Sequence, residues 1–206
     1  QASGAGRTAT SGTGDMDGPD DHARALARMA DAVNPGCQPG KGIASSRMAL
    51  TLFGYRFSIY TRVVRLVLHE KRLRATLVEV DPFADPLPDG FLALSPFGRV
   101  PVLAHGPFTL YETAAICRYL DEALPGPPLQ PADPRDRARM AQVVQMADAY
   151  VYPPLVRGVY EHLVFSPAEG TPADPLVAAR GLAEAPPVLA ALEVIASEGR
   201  VLNRRG

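Results

Sequence analysis

The chain has 206 residues, of which 47% are hydrophobic and 21% charged, and its formal net charge is −1 at pH 7. This composition indicates a soluble globular protein of one or two domains, with enough apolar residues for a substantial core. The near-neutral charge excludes the basic footprint of a nucleic-acid-binding protein, and the lack of a run of roughly 18 apolar residues argues against a membrane partner.

The N-terminal segment has a different composition from the rest of the chain. Residues 1–47 are rich in Gly, Ala, Ser, Thr and Asp and contain several breakers of helices and strands, so we expect a disordered extension. Cys37 lies in this segment, and Cys117 falls within a predicted helix, where we expect it to pack. We expect no disulfide between them and therefore predict a reducing cytoplasmic location.

Regular patterning begins after residue 48. Residues 49–53 have the pattern of a strand, 58–71 repeat apolar side chains at helical spacing, and 75–80 have the pattern of a second strand. A strand, a helix and a strand in this order predict a right-handed βαβ unit with parallel strands.

Four further elements complete the first predicted domain. A short helix is expected near 91–94, followed by strands at 102–104 and 109–111 that meet at a Gly-Pro turn, and by a helix at 112–124. The resulting βαβαββα order describes a thioredoxin-like domain over residues 48–124.

The rest of the chain is predicted to be helical. A proline-rich linker at 125–132 precedes an all-α domain at 133–206. A long helix is expected at the start of this domain, with a kink or break at Pro153 and Pro154, and a last helix is expected over 187–197.

Several short motifs follow one another in the first domain. They are Leu52-Phe-Gly-Tyr-Arg-Phe-Ser-Ile-Tyr-Thr-Arg, His69-Glu-Lys, Ser95-Pro-Phe-Gly-Arg-Val-Pro and Glu112-Thr113. Together they resemble the cytosolic glutathione S-transferases, and their residues are most similar to those of the phi-like and related bacterial serine-type enzymes. The resemblance covers about residues 48–202. It implies a further helix beyond residue 202, so we expect the C-terminal helical domain to be incomplete.

The resemblance also implies a function. It predicts an enzyme of detoxification that conjugates the thiolate of reduced glutathione to a small, hydrophobic electrophile. Glutathione is then a co-substrate, and neither a metal nor another cofactor is implied. The resemblance further implies a homodimer. The alternative is a non-catalytic binding or assembly module of the same fold. Three features favour it: Arg99, the incomplete helical domain, and the segment 85–90, which replaces the His/Lys-bearing segment that would hold the glycine carboxylate in related enzymes.

The predicted catalytic residue is Ser58, at the start of the first helix. A hydroxyl donor at a helix N-terminus stabilises a thiolate, because both the helix dipole and a directed hydrogen bond favour the anion. Ser58 also fits a purely structural N-cap, which would contribute about 1 kcal/mol to stability. Tyr55 is the alternative donor of the hydrogen bond, and both Tyr55 and Tyr60 are predicted to line the substrate pocket.

The resemblance implies that five residues bind glutathione. A cis bond before Pro101 would turn the backbone of Val100 outward to pair with the cysteinyl part of the tripeptide. Glu112 would pair with the γ-glutamyl ammonium, and the hydroxyl and N–H of Thr113 would bind the γ-glutamyl carboxylate. Arg99 replaces the glutamine that is common in related enzymes, and we expect it to act as a cation at the site.

Overall fold

The computed structural model describes residues 49–201, so the predictions for residues 1–47, Cys37 included, lie outside the described range. The described residues form two compact units, of which the first ends at Gly126 and the second begins at Pro127. In the described part of the chain, no helix is both long enough and apolar enough to cross a membrane.

The first unit is built on a four-stranded mixed sheet. Its strands are β1 (Leu50–Gly54), β2 (Ala75–Glu79), β3 (Val102–His105) and β4 (Phe108–Tyr111). They lie in the order β2-β1-β3-β4. Strand β1 is parallel to β2 and antiparallel to β3, and β3 is antiparallel to β4.

Three helices alternate with these strands. They are α1 (Ile59–Glu70), α2 (Phe91–Leu94) and α3 (Thr113–Ala123). The element order confirms the predicted βαβαββα arrangement of a thioredoxin-like fold. Helix α1 forms because Ser58 caps its first turn, and because Val64 and Leu68, four residues apart, bury one face of the helix.

The sheet separates two clusters of buried apolar side chains. Because successive residues of a strand point to opposite faces, Leu50 and Leu52 belong to one cluster and Phe53 to the other. The first cluster includes side chains of α1 and α3, and the second includes side chains of α2. The first unit is therefore a sheet with helices packed on both faces.

The second unit is helical, as predicted. It consists of α4 (Pro134–Met146), a π-helical segment (Ala147–Phe165), α5 (Ser166–Glu169) and α6 (Pro175–Ser197). Helix α4 begins where the side chain of Asp133 accepts hydrogen bonds from the N–H groups of Arg135 and Asp136, at 2.9 and 3.1 Å. This N-cap followed by Pro134 is a typical helix start.

The helical segment does not break at Pro153 and Pro154, so that part of the prediction is wrong. The winding changes earlier, at Ala147, and the helical segment continues through both prolines to Phe165. In the wider π-helical winding each N–H bonds to the carbonyl five residues back, as the Ser166 N–H does with the Glu161 carbonyl. The two prolines lack an N–H in either winding, so they remove bonds without ending the helix.

The predicted start of the last helix is also wrong. Helix α6 begins at Pro175 rather than near residue 187, and Pro186 and Pro187 lie inside it. Its N-cap is Asp174, whose side chain accepts a hydrogen bond of 2.9 Å from the N–H of Leu176. An Asp followed by Pro is typical of a helix N-terminus. The helix begins there, rather than at Pro186 and Pro187, because the Asp174 side chain satisfies N–H groups that the first turn leaves unpaired.

The second unit packs through small residues. Gly158, in the π-helical segment, and Gly181, in α6, are buried against each other, and a Cβ at Gly158 would be 3.2 Å from the Cα of Gly181. A Cβ at Gly181 would overlap the carbonyl oxygen of Pro154. The two helical backbones approach this closely only because both positions lack a side chain.

Candidate functional site

The predicted site residues all lie at one end of the sheet. Each of them lies in a segment that directly follows or directly precedes a strand. Gly54, the last residue of β1, pairs with Glu79, the last residue of β2. Val102, the first residue of β3, pairs with Phe53 of β1 and with Tyr111, the last residue of β4. This register brings the segment after β1, the segment before β3 and the segment after β4 to a common edge.

Each of these segments carries part of the predicted site. Residues 55–60 follow β1 and contain Ser58, residues 99–101 directly precede β3, and Glu112 and Thr113 directly follow β4. The topology therefore brings the catalytic candidate and the glutathione-binding candidates to the same end of the first unit.

Ser58 is the N-cap of α1 and is half-buried. Its Oγ accepts a hydrogen bond of 3.2 Å from the N–H of Thr61, and its own N–H donates to the carbonyl of Tyr55 at 2.9 Å. A hydroxyl has two lone pairs and one proton, so the cap uses a lone pair and leaves the proton available as a donor. Within residues 49–201, no acceptor takes that proton. The capping and catalytic interpretations of Ser58 are thus compatible.

Tyr55 and Tyr60 are both half-buried beside Ser58. The Tyr55 ring meets the rings of Phe57 and Phe83 edge to face, with centroids 5.4 and 6.2 Å apart. Phe57 is 39% exposed and Phe83 is 67% exposed, so this aromatic cluster faces solvent. Neither phenylalanine is among the predicted site residues, although aromatic residues in loops flanking a site are a recognisable signal.

Val100 is half-buried and is joined to Pro101 by a cis peptide bond, as the resemblance implies. Among the residues that the structure describes, none is hydrogen-bonded to the N–H or the carbonyl of Val100. A backbone N–H and carbonyl that are both available at a strand start can pair with an extended peptide.

The segment before Val100 is fixed by Ser95, which belongs to a recognised motif but is not among the predicted site residues. Ser95 is buried, with 1% of the residue exposed. Its Oγ accepts a hydrogen bond from the N–H of Arg99 at 3.1 Å and donates one to the Arg99 carbonyl at 2.9 Å. One buried hydroxyl therefore holds both backbone groups of the residue before Val100. The Arg99 side chain is exposed, and it forms no ion pair with any described residue.

Glu112 has an unusual backbone conformation at the start of α3. Its φ is 70° and its ψ is 115°, which places a non-glycine residue at positive φ. Such a conformation is strained, and strained residues concentrate at functional sites. Glu112 is exposed and Thr113, the first residue of the helix, is half-buried. An acidic group and the positive end of a helix are thus adjacent, which suits a ligand with both an ammonium and a carboxylate.

Other chemistry-bearing residues do not form a second centre in the described part of the chain. No cluster of three or more His, Cys, Asp or Glu residues that could hold a metal ion occurs between residues 49 and 201. Cys117 packs against the cluster that includes Leu52, and burial raises the pKa of its thiol to about 11. Burial therefore disfavours the thiolate, which is the nucleophilic form of cysteine.

Comparison with known families identifies a match over most of the first unit. Residues 52–128 match the family described as glutathione S-transferase, N-terminal domain.

Curated proteins of two kinds are similar to this chain. A stringent starvation protein A homolog of Haemophilus influenzae is 35% identical over 114 residues, which are 55% of this chain and 53% of that protein. Glutathione S-transferase omega-2 of Rattus norvegicus is 35% identical over 98 residues, which are 47% of this chain and 39% of that protein. The chain thus spans about half the length of the curated relatives that it matches.

Solved structures of glutathione transferases share the fold. The apo form of glutathione S-transferase III has a TM-score of 0.63 and 31% identity, and the match covers 73% of this chain and 70% of that chain. Glutathione transferase F2 from Populus trichocarpa has a TM-score of 0.66 and 27% identity, and that match covers 74% of this chain and 73% of the other.

Proposed function

Since the chain belongs to the glutathione S-transferase family, we propose that it conjugates glutathione to a small hydrophobic electrophile, with Ser58 stabilising the thiolate. Enzymes of this family use glutathione as a substrate and need no further cofactor. The observation that carries the proposal is the Ser58 hydroxyl at the N-terminus of α1, whose oxygen accepts from Thr61 while no described residue takes its proton.

The proposed binding mode uses the end of the sheet. The cysteinyl backbone of glutathione pairs with the N–H and carbonyl of Val100, directly before Pro101, neither of which is hydrogen-bonded to a described residue. The γ-glutamyl ammonium pairs with the Glu112 carboxylate, and the γ-glutamyl carboxylate accepts hydrogen bonds from the hydroxyl and N–H of Thr113. Arg99, whose guanidinium is exposed and without an ion pair among residues 49–201, supplies a cation for the glycine carboxylate.

The proposed chemical step requires glutathione to lose its thiol proton. A hydrogen bond from Ser58 Oγ–H to the sulfur, together with the positive end of α1, stabilises the anion and lowers the pKa of the bound thiol. The proton leaves to solvent, and the thiolate then attacks the electrophilic carbon. The new C–S bond forms as the bond from that carbon to its leaving group breaks or, in an epoxide, as the C–O bond of the ring opens. Tyr55, Tyr60 and the exposed rings of Phe57 and Phe83 offer an apolar wall for such an electrophile.

Two measurements on the same protein test this proposal. We expect the protein to be retained on immobilised glutathione and to conjugate glutathione to an activated aryl halide. The Ser58→Ala variant should still bind glutathione but lose about 100-fold in turnover, because one hydrogen-bond donor to the developing charge is gone. Ser197→Ala is the matched control, since its hydroxyl donates only to the Val194 carbonyl in α6. Unchanged turnover in Ser58→Ala would assign the donor role to Tyr55 instead.

A binding module without turnover is the second candidate. The similarity to stringent starvation protein A homologs from Haemophilus influenzae and Pasteurella multocida, at 35% and 31% identity, favours it, because these relatives carry a different name from the transferases. Retention on immobilised glutathione without any conjugation of aryl halides, epoxides or unsaturated carbonyls would select the module.

A homodimer in the cytoplasm, with a role in detoxification, completes the proposal. The ring of Phe97 is 67% exposed and meets Tyr111 edge to face with centroids 6.0 Å apart, so an apolar side chain protrudes from the first unit. Sedimentation of the full chain should give the mass of a dimer, and Phe97→Asp should shift the equilibrium toward the monomer.

A further inference from the structure

Thr61 joins both ends of the loop that carries Ser58. It is the third residue of α1 and is 5% exposed. Its N–H donates to Ser58 Oγ at 3.2 Å, and its Oγ1 accepts from the N–H of Tyr55 at 3.3 Å. The Ser58 N–H in turn donates to the Tyr55 carbonyl at 2.9 Å. Three hydrogen bonds therefore form a closed ring through Tyr55, Ser58 and Thr61.

The packing of Thr61 fixes this ring against the sheet. A Cβ on Gly54, the last residue of β1, would overlap the Thr61 Cγ2 methyl and would be 2.9 Å from Thr61 Oγ1. The side chain of Thr61 thus rests directly on the backbone of the strand end. Because Thr61 is buried on one side by the strand and bonded on the other to the loop, neither Tyr55 nor Ser58 can shift without breaking a bond of the ring.

We propose that Thr61 is a positioning residue, which holds the Ser58 hydroxyl so that its proton points away from α1 toward the glutathione sulfur. This inference rests on the proposed function, since it gives Thr61 a role only through Ser58. The N–H of Thr61 occupies one lone pair of Ser58 Oγ, which orients the remaining lone pair and the O–H bond. The Thr61 hydroxyl fixes Tyr55, and through the Tyr55 carbonyl it fixes the backbone of Ser58.

The two contributions of Thr61 can be separated by substitution. Thr61→Val keeps the backbone N–H that the cap requires and the methyl group against Gly54, but it removes the acceptor for the Tyr55 N–H. Thr61→Ser keeps the acceptor and removes only the methyl group. Loss of one hydrogen bond to a backbone group typically lowers an equilibrium or a rate by about fivefold to tenfold.

The test measures the thiol of bound glutathione rather than turnover alone. The thiolate absorbs in the ultraviolet, so a pH titration of the binary complex with glutathione gives the pKa of the bound thiol. We expect the pKa in Thr61→Val to lie between the values for the unsubstituted chain and Ser58→Ala. Turnover should fall about fivefold to tenfold, with a smaller change in KM for glutathione. Thr61→Ser should restore both values, and Thr76→Val, an exposed position in β2, should leave both unchanged.

A double-mutant cycle separates positioning from a general loss of structure. If Thr61 acts through Ser58, adding Thr61→Val to Ser58→Ala should raise the thiol pKa no further. An equal further increase in the double variant would overturn the proposal, as would a wild-type pKa and turnover in Thr61→Val while Ser58→Ala is impaired. If Ser58→Ala itself keeps the wild-type thiol pKa and turnover, the proposed role of Ser58 fails and the role of Thr61 fails with it. If the unsubstituted chain does not conjugate glutathione at all, the proposed function fails instead.

Discussion

The two units of this chain are stabilised by different kinds of interior. In the first unit, large side chains such as Phe53, Phe91 and Ile116 are at most 2% exposed and pack on both faces of the sheet. In the second unit, the buried positions of α6 are mainly small, as at Ala178 and Gly181. One unit is filled by side chains, and the other is held by close approach of helical backbones.

The difference explains where a precise site is possible. A sheet with a filled core on each face is rigid, because interiors packed at crystal-like density have few voids and low compressibility. The strand ends of such a sheet place Ser58, Val100 and Glu112 on separate segments but at fixed relative positions. A helical unit with small buried residues gains less from side-chain burial, and it leaves Leu176 and Val194 79% and 65% exposed.

The largest expected effect is the removal of a filled core position. Phe91→Ala should lower the free energy of unfolding by about 4 kcal/mol, since a fully buried ring would leave a cavity between α2 and the sheet. Denaturant unfolding gives the loss, and hydrogen exchange of β3 amides should locate it in the first unit. Leu92→Ala on the same helix is the control, because Leu92 is 48% exposed and should cost far less.

A substitution at the close helical contact should have the next largest effect. Gly181→Ala should lower the free energy of unfolding by about 2 kcal/mol, because the new Cβ overlaps the Pro154 carbonyl oxygen, a backbone atom that cannot rotate away. Ala183→Leu, an exposed change on the same helix, adds more volume but should cost less than about 0.5 kcal/mol. Equal stability of Gly181→Ala and the unsubstituted chain would show that the second unit is not packed through this contact.

A smaller effect is expected where the first unit supports its candidate site. Ser95→Ala leaves the N–H and carbonyl of Arg99 without their buried partner, so the segment before Val100 should loosen. We expect the Kd for glutathione to rise about tenfold, which corresponds to the loss of a buried hydrogen bond. Titration calorimetry measures this change. An unchanged Kd together with a lowered thermal midpoint would limit Ser95 to a structural role.

The smallest effect is expected for the thiol of Cys117. Burial raises its pKa from 9.0 to about 11, so the native thiol is neutral at pH 7 and should react with iodoacetamide far more slowly than after unfolding. As pH rises, the thiol of the unfolded chain ionises before the thiol of the folded chain. Cys117 therefore lowers the free energy of unfolding progressively between about pH 9 and about pH 11, and no further above that. A Cys37→Ser background isolates its alkylation rate, and rapid alkylation at pH 7 would contradict the buried placement.

Much of the first unit was predictable because its sequence signals agree with one another. Alternating residues in β1, the helical spacing in α1 and the turn between β3 and β4 each indicate one structure, and all of them fit one fold. The convergence of the site candidates at one end of the sheet was predictable, because these residues lie in the segments that directly flank the strands. The second unit was less predictable, because Pro153, Pro154, Pro186 and Pro187 lie inside helical segments where local rules place a boundary.

The supporting residues of the site were not predictable in the same way. Thr61 and Ser95 are single hydroxyl residues in a helix and a loop, and their roles depend on bonds to backbone groups that only the folded chain brings near. The strained backbone of Glu112 has no sequence signal either, because an acidic residue before a helix is common at ordinary φ values.

A crystal structure of the full chain with reduced glutathione tests the central claim most directly, because it locates the tripeptide relative to the end of the sheet. We predict that the cysteinyl backbone pairs with Val100, that the γ-glutamyl group lies at Glu112 and Thr113, and that the sulfur lies within hydrogen-bond distance of Ser58 Oγ. Glutathione bound away from this end of the first unit, or a sulfur that contacts the Tyr55 hydroxyl instead of Ser58, would contradict the account.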